Sequence, residues 1–109
     1  QIFCPVGRAL DVIGDRWTLV LVRQLLSRPL GFQELRVRTG IAPRVLSSRL
    51  RKLSGEGFIE STRTGSRAGY RLTDKGAALE PIVAAISRWY LRHGLDHLNV
   101  DAARFSATS

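Results

Sequence analysis

The stretch Phe32–Glu60, "FQELRVRTGIAPRVLSSRLRKLSGEGFIE", decides the fold. Phe32 and Leu35 mark a short amphipathic helix over Phe32–Thr39, stopped by Gly40. Pro43 suits a first helical position, where its missing N–H costs nothing, and opens a second helix reaching Gly55 or Glu56. A short Gly-containing turn joins the two, so residues 32–56 read as a helix-turn-helix. "FIESTRT", "GSRAG" and "YRLT" then read as strand, turn and strand, a wing over about residues 58–72. In a winged helix of this kind the first helix crosses the phosphates and the second enters the major groove.

The roll of the second helix follows from its leucines. At ~100° per residue, Leu46, Leu50 and Leu53 fall on one narrow stripe that must dock on a core. Arg44, Ser47, Ser48, Arg51 and Lys52 then lie on the opposite side, with Arg49 at the flank as a core-edge or phosphate contact. Long cations reach guanine edges or phosphates, and serines permit close backbone approach. Arg44, Ser47, Ser48 and Arg51 are therefore the expected major-groove readers. Lys52, Arg36 and Arg38 are expected on phosphates, together with Arg63, Arg67 and Arg71 of the wing, whose Gly-rich tip can follow a backbone or enter a minor groove.

Charge localises to the same interval. The chain has 17 Lys+Arg against 9 Asp+Glu, a formal net charge of +8. From Arg36 to Arg71 there are nine basic residues and two acidic ones, Glu56 and Glu60, so this third of the chain holds +7 of that total. A solvated helix face laced with salt bridges mixes signs; this one does not. The pattern points to a polyanion, duplex DNA in particular. The competing reading is a winged helix that docks an acidic protein and has no affinity for duplex.

Around this unit the chain reads as one mainly α domain over residues 1–98. A helix over Pro5–Ile13 carries Val6, Ala9, Leu10 and Ile13 on one stripe. Asp15 can cap a second helix over Arg16–Ser27, apolar nearly all round and hence expected at the centre of the core. Thr73 can cap a last helix over residues 74–93, with a kink or break expected at Pro81. That helix sets Ile82, Val83, Ile86, Trp89 and Tyr90 at three- to four-residue spacing, more apolar surface than a small core needs, which makes it the expected dimer interface. Residues 99–109 are weakly patterned and expected to be loosely held.

Other classes find little support. Cys4 is the only cysteine, so no intrachain disulfide is available. No signal peptide is visible, no apolar run approaches the ~18 residues of a membrane span, and a cytoplasmic protein without cofactor is expected. No catalytic constellation is present, so an enzyme is not expected. His93 and His97 share a helical spacing, but only Asp96 is near in sequence to complete a metal site, and none is expected.

These segments together resemble the HxlR-type family of bacterial winged helix-turn-helix transcription regulators. The likeness is carried by "CPVGRALDVIGDRWTLVLVRQLL" (Cys4–Leu26), by "FQELR" (Phe32–Arg36), by the run ending "LRKLSGEGFIE" at Glu60, and by "YRLTDKGAALEPIVAAISRW" (Tyr70–Trp89). It implies a homodimeric repressor or activator on a palindromic operator, its N- and C-terminal helices forming a dimer platform. Where members commonly open the recognition helix with a polar cap such as Ser, this chain has Ala42-Pro43. Some members sense oxidants or electrophiles through a cysteine at the position of Cys4, which precedes Pro5 at the positive end of the first helix. The resemblance thus implies a redox or small-molecule effector, with Cys4 as the candidate sensor; the alternative is an inert thiol near the platform.

Overall fold

The computed structural model describes residues 3–94. In chain order these form α1 (Pro5–Ile13), α2 (Thr18–Leu25), α3 (Phe32–Thr39), α4 (Pro43–Gly55), β1 (Ile59–Thr64), β2 (Arg67–Leu72), α5 (Asp74–Ala77) and α6 (Glu80–His93). The chain is mainly α with one small hairpin, a winged helix-turn-helix. The tail from Asn99, and the His97–Asp96 pair weighed as metal ligands, lie outside the described residues. No helix among the described residues is long and apolar enough to cross a membrane.

The core gathers the apolar stripe of each helix. Leu21, Val22 and Leu25 of α2 meet Leu35 of α3, Leu46, Leu50 and Leu53 of α4, and Phe58, Ile59, Leu79 and Val83. Helix α2 is not buried all round, because Val20 and Arg23 face outward. It also starts two residues later than its apolar pattern suggests. Asp15 Oδ1 accepts the N–H groups of Trp17 (2.9 Å) and Thr18 (3.0 Å), and Oδ2 accepts the Thr18 hydroxyl. The carboxylate thus takes up N–H groups at the entry of the helix, but Trp17 rather than Asp15 stands at the N-cap, and residues 15–17 form a bend and turn ahead of α2.

The helix-turn-helix joint is three residues, Gly40 to Ala42. Gly40 adopts φ +72°, a left-handed value open to glycine at little cost, and its N–H caps the Arg36 carbonyl. Ile41 then drops into the core. At the other end of α3, Glu34 reaches back to the Gly31 N–H at 3.1 Å. Helix α4 begins at Pro43 with no side-chain cap from Ala42.

The hairpin pairs Ile59 with Leu72 through Thr64 with Arg67. Its turn is therefore Gly65-Ser66 alone, and Arg67–Gly69, read from sequence as turn, belong to β2. A further backbone pairing joins Leu30 to Tyr70, N–H to O in both directions at 3.1 and 2.8 Å, and straps the wing to the segment before α3. After β2 the last helix is broken rather than continuous. Thr73 caps α5 by accepting the Gly76 N–H, and α6 restarts with Pro81 in its first turn, where a missing N–H is harmless.

Gly76 lies flat against the carbonyl oxygen of Phe58, and an added Cβ would overlap it. Gly76→Ala should therefore cost about 1–3 kcal/mol in urea unfolding. Gly55→Ala, whose Cβ would meet nothing within 4 Å, should be neutral or stabilising by up to about 1 kcal/mol.

Candidate nucleic-acid interface

With three leucines locked inward, α4 turns Arg44, Ser47, Ser48 and Arg51 to solvent, all exposed. Among the described residues none of these four side chains makes a hydrogen bond or ion pair with the rest of the chain. They form a face of two cations and two hydroxyls left free for another molecule. Val45 was missed by the sequence reading. It is 39% exposed beside Arg44 and Ser48, an apolar contact suited to a thymine methyl. As an apolar residue in an amphipathic helix it reads as core.

Two cations expected on phosphates are engaged internally. Lys52 lies half-buried, its Nζ 3.6 Å from Asp15 Oδ2, rather than on the open face with Arg51. Arg71 pairs across the hairpin with Glu60 at 2.7 Å. Arg49 is half-buried at the helix flank, and its Nε is enclosed without a partner among the described residues. Burial pushes the Asp15 carboxyl up. The hydrogen bonds from Thr18 and from the Trp17 and Thr18 backbone, with the Lys52 charge, outweigh it and hold that carboxyl below its ordinary value.

Arg63 and Arg67 are exposed. The register sets them on opposite faces of the ribbon: Arg67 shares a face with Thr62, Thr64, Gly69 and the Glu60–Arg71 pair, and Arg63 shares the other with Ser61, Ala68 and Tyr70. On α3, Arg38 is exposed, and Arg36 donates from Nε to Gln33 Oε1 at 2.9 Å while remaining at the surface.

Exposed apolar side chains lie on the terminal helices. Helix α1 buries only Ile13, leaving Val6 67% and Leu10 55% exposed. On α6, Ile82, Ile86, Trp89 and Tyr90 are exposed, joined by Leu91. Val83 corrects the sequence reading: it is 8% exposed, packed in the domain's own core, and is unavailable to an outside face. Cys4 is exposed. It is the N-cap of α1, its Sγ accepting the Gly7 N–H at 3.4 Å, while the Arg8 guanidinium lies over the Phe3 ring.

The model of the HxlR-like helix-turn-helix family matches residues 12–97. The uncharacterised HTH-type transcriptional regulator YvaP of Bacillus subtilis is 40% identical over 91 residues, which cover 79% of this chain and 84% of YvaP. The chain spans only 55% of a longer mycobacterial relative. Among solved structures, PA1607, described as a candidate transcription factor, superposes with a TM-score of 0.77 at 41% identity, covering 85% of this chain and 67% of PA1607. The reduced form of the redox regulator HypR superposes with a TM-score of 0.75 at 32% identity, covering 86% and 99%. On the family match, the relatives and the fold together, the chain belongs to the HxlR-like helix-turn-helix family.

Proposed function

We propose that the protein is a sequence-specific regulator of transcription that binds double-stranded DNA as a homodimer, in the cytoplasm of a bacterial cell. The observation that carries this reading is the face of Arg44, Ser47, Ser48 and Arg51 on α4, exposed and without partners among the described residues. In this reading those four side chains, with Val45, meet base edges in the major groove. Arg36 and Arg38 hold the phosphates that α3 crosses, and Arg63 and Arg67 of the wing hold the adjoining backbone or minor groove. The competing reading, a winged helix that docks an acidic protein, predicts no affinity for duplex DNA at physiological salt.

A homodimer is supported by the apolar surface of α1 and α6. Two recognition helices engage half-sites about one DNA turn apart, which suits a palindromic operator. A redox effector acting at Cys4 is supported by the likeness to HypR, a redox regulator, and by the exposure of the thiol at a helix N-cap.

Three measurements test the parts separately. With an operator selected from random duplexes, Arg51→Ala should lower the ratio of operator to random-duplex affinity by about 1–3 kcal/mol; equal losses on both would sink the base-reading role. Trp89→Glu should give a monomer in sedimentation equilibrium under conditions where the parent is a dimer, and a parent that is monomeric at every concentration counts against the platform. Cys4→Ser should keep its grip on the operator when oxidant releases the parent; release of both alike removes Cys4 as the sensor.

A further inference from the structure

The exposed and engaged cations of α4 divide by flank. At ~100° per residue, Arg44, Ser47, Ser48 and Arg51 occupy the open side, and Arg49, Lys52 and Glu56 line one edge of it. That edge is charge-compensated from outside the helix: Asp15, in the turn between α1 and α2, meets Lys52 at 3.6 Å. Among the described residues the edge thus sets two cations against two carboxylates, whereas the open side carries cations alone.

Asp15 is fixed before Lys52 arrives. Its oxygens accept two backbone N–H groups and the hydroxyl of Thr18, and Thr18 is itself 1% exposed. An ordinary surface ion pair gains little because two mobile side chains must be ordered. Here one partner is already held, and both are partly sheltered, with side chains 36% and 22% exposed, so salt screens the pair less.

We propose that Asp15 is a specificity-determining residue that acts through Lys52: by engaging this lysine it withdraws a sequence-independent phosphate contact from the edge of the recognition helix. The inference rests on the DNA-binding reading. A lysine on a phosphate adds affinity to every duplex alike and one released counterion to the salt dependence. Removing that contact leaves cognate and random duplex to be separated by the base-reading face. Asp15 touches no DNA in this scheme. It positions Lys52, and with it the edge of α4 facing the α1–α2 turn.

The test is the salt dependence of binding to a labelled random-sequence duplex, using the whole chain. Lys52→Gln should leave the slope of log affinity against log salt unchanged, while Arg38→Gln, at a cation placed on phosphate, reduces it by about one unit. Asp15→Asn keeps an oxygen for the Trp17 and Thr18 N–H groups and frees Lys52. It should steepen the slope by about one unit and tighten random-duplex binding several-fold. Adding Lys52→Gln to Asp15→Asn should return the slope to that of the parent. A merely structural role for Asp15 would lower affinity without steepening the slope, and that result overturns the proposal. So does a slope lost on Lys52→Gln alone, which also decides the matter if Asp15→Asn fails to fold. A parent that binds no duplex at low salt overturns the DNA-binding reading and this one with it; a parent that binds, with Lys52 contributing to the slope, overturns this one alone.

Discussion

The roll of α4 about its own axis is the constraint on which the rest depends. Leu46, Leu50 and Leu53 are each almost wholly enclosed, and removing any one from such a core costs on the order of 2–5 kcal/mol. No exposed cation on the helix contributes comparably to folding. The burial of three apolar side chains therefore decides which polar ones are presented. The surface of α4 is a by-product of its core face, and its composition can vary among relatives without disturbing the fold.

The neighbouring elements serve the same end. Gly40 and Ile41 set the angle between α3 and α4, one by its left-handed backbone and the other by its burial. The far end of α4 is held by Lys75, whose Nζ donates to the Glu56 carbonyl at 2.7 Å and lies over the Phe58 ring. The Leu30–Tyr70 pairing ties the wing to the segment preceding α3. Helix-turn-helix and wing are thereby fastened at several points, whereas α1 buries a single side chain, Ile13, against the same domain.

Where the chain signals itself locally, the sequence was readable. Pro5, Gly40 and Pro43 bracket α1, α3 and α4, whose limits follow directly from them. The misreadings come from contacts between residues far apart in the chain or from ambiguities of spacing. Val83 cannot be told from Ile82 or Ile86 by periodicity, since a helix this apolar has two candidate faces. Asp15 and Lys52, or Glu60 and Arg71, look like independent charges until the fold brings them together. Leu30 pairs as a single residue between Pro29 and Gly31, too short for any alternation to register. The wing tip was read too long because Gly69 signals a turn, whereas its Cβ-less backbone lies close to the Leu30 carbonyl. The outward placement of Arg44, Ser47, Ser48 and Arg51 was legible because it depended only on the three leucines.

The placement of Arg63 and Arg67 on opposite faces of a two-stranded ribbon gives the wing a parity. Side chains alternate strictly along a strand, so lengthening both strands by an even number of residues preserves which arginine looks which way, and an odd change in register exchanges them. A ribbon with one cation on each side can straddle a strand of backbone like a saddle, whereas a ribbon with both on one side can only lie against it. Length changes in this hairpin are thus quantised in steps of two if each arginine is to keep its own side, or must be absorbed by a bulge; an odd step keeps the saddle but exchanges its two cations.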